Sequence, residues 1–194
     1  NSSNLYENAA ENVTILSLDS EEAGRLCIRA LARAGHTKVG YIRNEPECDL
    51  TRLRFTGVTA EAEELGVAVT HFPATIKSWE SSAAAAEKIT RSRLDDIRSL
   101  GLTALIYYSG SGALAGRRVL QLAGCRIPED ISIISEDDGS IMEQVYPAGT
   151  IVAGEYLQQC RGALDIILGK LPSPGTRLCP YRLIERDKIQ TTHQ

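Results

Sequence analysis

Short runs rich in β-branched residues alternate along this chain with longer stretches of helical periodicity, several of them closing on a glycine. That alternation restricts the fold more than any other feature, because strand, crossover helix and next strand form the repeating unit of a parallel sheet. Val13 to Leu18 reads as the first strand. Asp19 or Ser20 caps a helix whose Ala23, Leu26, Cys27, Ala30, Leu31 and Ala34 recur at the spacing of one helical face, and Gly35 stops it. The pattern then predicts a strand at Lys38 to Ile42, a helix from Leu50 to Leu65 ending at Gly66, and a strand at Val67 to Phe72. A long helical region follows, running to Leu100 with a break near Arg91-Ser92-Arg93, and then a strand at Thr103 to Tyr107. A helix over Ser111 to Ala123 and a strand at Ile131 to Ser135 come next. A short helical turn over Ile141 to Val145, a strand at Thr150 to Val152, a helix over Glu155 to Leu168 and a final strand over Leu178 to Ile184 complete the reading. The fold class is therefore α/β, a parallel sheet flanked by helices on both faces.

In such a sheet ligands bind beyond the carboxyl ends of the strands, where Pro128-Glu129-Asp130-Ile131-Ser132-Ile133-Ile134-Ser135-Glu136-Asp137-Asp138 places three carboxylates at the end of one strand. Acid/base work, a hard-metal site and acceptance of hydrogen bonds from ligand hydroxyls are all open to such a cluster. With no further acidic or histidine partner at recognisable spacing, the acceptor role is preferred; Asp138 serves equally well as a helix cap. Arg54 lies in the first turns of a helix after a loop, where a guanidinium can grip hydroxyls or carboxylates, whereas Arg52, two residues away, faces solvent. Trp79, the only tryptophan, precedes a helix outside any periodic apolar face; an aromatic there either stacks on a ligand or covers the core edge.

Other chemistries find less support. Gly110, Gly112 and Gly116 follow Ser109 in a Gly-x-Gly-x-x-x-Gly spacing that fits neither common phosphate-binding fingerprint, so the stretch reads as a plain helix start. His36, His71 and His193 are too far apart for a helical metal pair, and His36 after Gly35 reads as a structural residue. No nucleophile and base pair emerges, so neither an enzyme nor a cofactor is expected. The five cysteines are widely spaced and never Cys-x-x-Cys, which fits a reducing cytoplasm. Asn12-Val13-Thr14 is a formal glycosylation sequon but reads as a strand start. With 21 Lys+Arg against 25 Asp+Glu and a net charge of -4, the 194 residues are a poor nucleic-acid surface. No apolar run reaches membrane-spanning length and the opening lacks a signal-peptide plan.

Several stretches, in shared order and spacing, resemble the lactose-repressor (LacI/GalR) family of bacterial transcription regulators. They are Asp19 to Arg25, Ala34-Gly35-His36-Thr37-Lys38-Val39, Arg54-Phe55-Thr56-Gly57, Gly124 to Ser132, Pro147 to Val152 and Leu183-Ile184-Glu185-Arg186. The resemblance runs from Val13 onward and implies a periplasmic binding protein-like fold of two lobes with an effector cleft between them. It implies effector contacts at Arg54, Trp79, Ser109 and Asp137, a small polar metabolite as ligand with a sugar among the candidates, and no metal. Two positions depart from the family: Ser109-Gly110 stands where many members carry Asn-Asp, and Ser135-Glu136 where they carry Gly-aromatic.

By the same resemblance, residues 1–18 are a remnant of the N-terminal lobe with a crossover strand. Residues 19–138 are the C-terminal lobe, 139–176 return to the N-terminal lobe, and 177–194 bring the final strand and tail. The chain thus reads as an N-terminally truncated effector-sensing and dimerisation domain, operator DNA being the business of a helix-turn-helix absent from it. A sugar-binding protein of a transport system shares the fold and is the alternative. A homodimer is expected through the helix at Ser111 to Ala123 and the segment Ile141 to Tyr146, with Leu114, Ile141, Met142 and Val145 exposed in a monomer. The stripe Tyr156, Cys160, Ala163, Leu164 and Ile167 is expected to be covered, by another copy or by Asn4 to Glu11.

Overall fold

Asp19 turns the first strand into the first helix: its carboxylate accepts from the Glu22 N–H at 3.1 Å, satisfying one of the donors that a helix start leaves open. The structure, a computed structural model, describes residues 13–136 and 140–186. Strand β1 (Thr14–Leu18) leads into α1 (Ser20–Arg33), followed by β2 (Lys38–Arg43), α2 (Asp49–Leu65), β3 (Ala68–Pro73), α3 (Ser82–Ser92), α4 (Leu94–Ser99) and β4 (Ala104–Tyr107). Then come α5 (Gly110–Leu122), β5 (Ser132–Ser135), a 3-10 turn at Ser140–Glu143, β6 (Thr150–Gly154), α6 (Tyr156–Ile167), β7 (Gly175–Cys179) and β8 (Tyr181–Ile184). The helical region before β4 breaks at Arg93, which ends α3 and begins α4.

Six strands form the main sheet in the order β3-β2-β4-β5-β6-β8, all parallel except β8, which runs antiparallel to β6. Side chains alternate across it, as the period of a strand demands. Val39, Tyr41, Ala104, Ile106 and Ile134 face α1 and α2, whose Cys27, Ile28, Leu31, Val58 and Ala62 complete one buried cluster. Ile42, Leu105, Tyr107 and Ile133 face the other way, onto Ala86 of α3, Ile97 of α4 and Ala113 and Leu120 of α5. Helices therefore cover both faces. The α1 and α2 backbones meet at two glycines: a Cβ on Gly24 would lie 2.1 Å from the Arg54 carbonyl oxygen, and one on Gly57 1.9 Å from that of Glu21. This close crossing fixes where Arg54 leaves α2.

The strand expected as one piece over Leu178 to Ile184 is two. Pro180 interrupts it, and the chain changes sheets there: β7 pairs in parallel with β1 in a separate two-stranded sheet, while β8 closes the main one. Sheet membership depends on partners far away in sequence, which local periodicity does not carry. Two further passages lie beside this one. The Asp19 N–H donates to the Cys179 carbonyl at 2.9 Å and the Glu155 N–H to that of Pro180 at 3.1 Å, so all three are stitched together.

Helix α6 lies on the small sheet, with the Gln159 side-chain amide donating to the Leu16 carbonyl at 2.9 Å, yet none of its residues is buried. Tyr156, Leu157, Leu164 and Ile167 are exposed, Ile167 by 80%. Asn4 to Glu11, expected as a cover for this face, lies outside the described residues. No helix among the described residues is long and apolar enough to cross a membrane.

Candidate functional site at the carboxyl edge of the main sheet

The in-register parallel strands end together, Ile42 opposite Tyr107 and Tyr107 opposite Ser135. Just past those ends lie Asn44, Tyr108, Ser109 and Glu136, and Arg54 reaches them from α2. The Arg54 Nη1 donates to the Glu136 carbonyl oxygen at 2.7 Å and to that of Tyr108 at 3.3 Å; its Nη2 donates to the Tyr181 hydroxyl at 2.7 Å. The guanidinium carbon sits 4.2 Å from the centre of the Tyr108 ring and 5.4 Å from that of Tyr181. Arg54 is thus buried, 7% exposed, and ties the ends of β4 and β5 to the start of β8.

Glu136 is fully buried and accepts from the Tyr41 hydroxyl at 3.1 Å. Burial pushes its carboxyl up to about 7, with Arg54, Tyr41 and Cys27 pulling it back. Burial works against the Arg54 charge in turn, but Glu136 and the surrounding tyrosines outweigh it and hold Arg54 above its usual pKa. The Cys27 thiol, also fully buried, is raised well above its ordinary value by burial and by Glu136. The result is a guarded polar nucleus inside an apolar core, with proton occupancy at Glu136 balanced near neutrality.

Ser109 is the N-cap of α5, its hydroxyl accepting from the Gly112 N–H at 3.3 Å and from the Asn44 side-chain amide at 2.7 Å. It stands within reach of the exposed Ser111 hydroxyl, at 3.3 Å. Asn44 is fully buried and its Oδ1 has no partner among the described residues. The glycines of this helix serve packing: a Cβ on Gly112 would strike the Asn44 amide at 2.3 Å, and one on Gly116 the Tyr107 hydroxyl at 2.0 Å.

Arg54 and Ser109 therefore meet at one edge of the sheet, on either side of Tyr108. Trp79 stands in the loop after β3, 81% exposed, with the Lys77 ammonium 5.7 Å from its ring centre. Asp137 and Asp138 lie outside the described residues. Arg52 is exposed and pairs with Asp49 and Glu47. His36 is buried with its Nδ1 2.8 Å from the Thr103 hydroxyl, and His71 stacks on Phe55 at 4.1 Å between ring centres. Burial lowers the pKa of both histidines. Among the described residues no group of three His, Cys, Asp or Glu side chains is placed to hold a metal ion.

Sequence reasoning passed over Asn44, Tyr108 and Tyr181. Asn44 and Tyr108 had a usable signal, since each falls immediately after a strand whose carboxyl end lies at this edge. Tyr181 had none, because its approach to Arg54 spans 127 positions.

Away from the edge, Arg117 of α5 donates to the carbonyls of Tyr146 and Pro147 at 2.6 and 3.0 Å and pins the segment after the 3-10 turn against that helix. Tyr146 is 90% exposed and Leu122 70%. Met142, expected at the surface, is fully buried in the second core cluster, where a Cβ on Gly149 would come within 2.3 Å of its methyl. Leu114, Ile141 and Val145 are half-buried.

Comparison with known proteins places this geometry. A family model described as a periplasmic binding protein-like domain matches residues 28–187. The chain is 27% identical over 153 residues to the HTH-type transcriptional repressor PurR of Aliivibrio fischeri, covering 79% of this chain and 45% of that protein. It is 26% identical over 183 residues to the HTH-type transcriptional regulator GalR of Salmonella typhimurium, covering 91% and 52%. Among solved structures, a LacI family transcriptional regulator from Enterococcus faecium with bound ribose shares the fold with a TM-score of 0.77 at 20% identity, covering 93% of this chain and 66% of that one. The chain spans about half the length of the curated relatives it matches.

Proposed function

This chain belongs to the periplasmic binding protein-like domain family, in the branch whose matched members are LacI-type regulators, and on that premise we propose that it is the effector-sensing domain of a DNA-binding transcription regulator. The observation that carries the reading is the polar cluster of Asn44, Arg54, Ser109 and Glu136 at the carboxyl edge of the main sheet, where this architecture receives small ligands. Arg54, Trp79, Ser109 and Asp137 are the side chains proposed to form the effector site, with a small polar metabolite, a sugar first among candidates, as ligand. Matched relatives that are regulators weigh against the transport-protein alternative.

Operator binding is assigned to a separate reader domain, since the charge of this segment is -4. A homodimer is proposed through α5 and the pinned segment up to Tyr146, where Leu122 and Tyr146 are exposed and Leu114, Ile141 and Val145 half-buried, apolar surface that a two-fold contact would cover. Calorimetric titration of the chain with ribose, galactose, lactose and cellobiose tests the effector reading. Saturable heat with at least one sugar, lost in Ser109→Ala, supports it. Heat unaffected by Ser109→Ala removes the carboxyl edge from consideration.

A further inference from the structure

Two buried polar atoms of opposite kind stand unused in the nucleus around Glu136. The Glu136 Oε2 accepts from the Tyr41 hydroxyl at 3.1 Å, but its Oε1 has no hydrogen bond of normal geometry among the described residues. The Arg54 Nε, an N–H donor, is likewise buried without a partner. Arg54 directs its other donors at neutral acceptors: the Glu136 and Tyr108 carbonyls from Nη1, at 2.7 and 3.3 Å, and the Tyr181 hydroxyl from Nη2, at 2.7 Å. It thus holds the backbone of Glu136 and leaves the carboxyl of the same residue unbonded. An acceptor with an empty lone pair and an idle N–H donor, each sensing the other's charge, are two halves of a charge-assisted bond that has not formed.

The groups that face Glu136 come from several elements. Cys27 belongs to α1, Tyr41 to β2 and Arg54 to α2, while Tyr108 lies just past β4 and Tyr181, bonded to Arg54, opens β8. Strand β6, the other neighbour of β5, brings no titratable side chain. His71 of β3 stands beside Tyr41, with ring centres 5.7 Å apart, and burial lowers its pKa, so at neutral pH Arg54 is the cation of the set.

We propose that Glu136 and Arg54 form a proton-operated switch: with a proton on Glu136, Arg54 ties the ends of β4 and β5 to the start of β8, and with that proton released to solvent, Arg54 turns its Nε to the carboxylate and gives up Tyr108 and Tyr181. The driving force is the change of acceptor. A buried carboxylate short of a partner is costly, and a hydrogen bond to an ionised acceptor is roughly twice as strong as one to a neutral acceptor. Ionisation therefore tips the competition for Arg54 toward the carboxylate. A neutral carboxyl offers no such gain, and the carbonyls and the Tyr181 hydroxyl keep the guanidinium. Burial pushes the Glu136 carboxyl up to about 7, which places the exchange near neutrality. The switch belongs to the scaffold and stands apart from the effector reading; it reaches the carboxyl edge because Tyr108 directly precedes Ser109, the cap of α5.

The test is nuclear magnetic resonance of the 194-residue chain from about pH 5 to about pH 9, following the Glu136 carboxyl carbon and the Arg54 Nε–H, the latter identified by its absence in Arg54→Lys. The two signals are expected to move together with one midpoint near 7. Amide exchange around Tyr108 and Tyr181, corrected for its intrinsic pH dependence, is expected to quicken by about threefold or more above that midpoint. In Glu136→Gln the Arg54 signal should stay at its low-pH position throughout, and His71→Gln should leave the transition in place. Tyr41→Phe removes a hydroxyl that favours the charged form and should raise the midpoint by about half a pH unit or more. An Arg54 signal that does not move with the carboxyl, or that still moves in Glu136→Gln, overturns the switch. So does a transition that vanishes in His71→Gln, or exchange around Tyr108 and Tyr181 that is the same on both sides of the midpoint. If circular dichroism shows Glu136→Gln unfolded, Tyr41→Phe decides: a midpoint that rises for both signals supports the switch, and one that is unmoved or lowered, or that differs between them, overturns it.

Discussion

The main sheet and the small one answer the same physical demand in opposite ways. Around the six-stranded sheet every strand has a cover, α1 and α2 on one face and α3, α4 and α5 on the other, and even the charged groups of its interior are enclosed. Among the described residues the two-stranded sheet β1-β7 carries one helix, α6, with no buried residue and with Leu157, Leu164 and Ile167 exposed. Burying a large aliphatic side chain contributes roughly 1.5 to 3 kcal/mol, so stability concentrates in the first region while the second holds unrealised apolar surface. The lesson is a division of labour: one region is a finished scaffold that carries the candidate site, the other, among the described residues, an uncovered face.

The sharpest way to break this comparison is truncation in each region. Leu31→Ala or Ile106→Ala, both at 0% exposure, is expected to cost about 2 to 5 kcal/mol in urea unfolding, whereas Leu164→Ala or Ile167→Ala changes stability by less than about 0.5 kcal/mol. Equal losses in the two regions would mean that α6 is covered after all.

Next in size is a pH effect confined to the main sheet. The Glu136 carboxyl rises from its ordinary 4.5 to about 7 in the fold, so the folded state holds this proton more tightly than the unfolded chain. Its contribution to stability is fully present below pH 4.5 and is lost as pH climbs through 7, on the order of 3 kcal/mol in all for a shift of this size. His36 and His71, whose pKa values burial lowers, act in the opposite sense over pH 5 to 8 and are common to the parent and to Glu136→Gln, so the effect is read as a difference: the parent's stability relative to Glu136→Gln should fall between pH 5 and pH 8. Parallel curves for the two proteins over that interval contradict the buried-proton assignment.

A smaller effect concerns the exposed face. Ile167→Glu is expected to leave the unfolding midpoint within about 0.5 kcal/mol of the parent while reducing binding of a hydrophobic dye. Unchanged dye binding would show that α6 is not the open surface.

Much of this architecture was legible in the sequence because it is written at short range. The short β-branched strand runs and the α1 face from Ala23 to Leu31 are local patterns, and the helix stops at Gly35 and Gly66 are single residues in left-handed backbone, with φ of 88° and 68°. What stayed hidden is set by distant partners. Pro180 gave no local sign that β7 and β8 belong to different sheets, and Met142 reads as a surface residue until Gly149 closes over it. For the candidate site, Arg54 was legible as a helix-start residue after a loop and, with Ser109, through the family resemblance; the structure puts both at the sheet edge. The enclosure of Arg54 by Tyr108, Glu136 and Tyr181 was not, since it needs three separate strands to meet.

The central claim, an effector site at the carboxyl edge of the main sheet, is tested most directly by hydrogen exchange with and without a saturating sugar identified by calorimetry. The expected result is added protection at the amides around Asn44, at Tyr108 to Gly112 and at Glu136, with α6 unchanged. Protection appearing on α6 and the small sheet instead, with the strand ends unaltered, would contradict it.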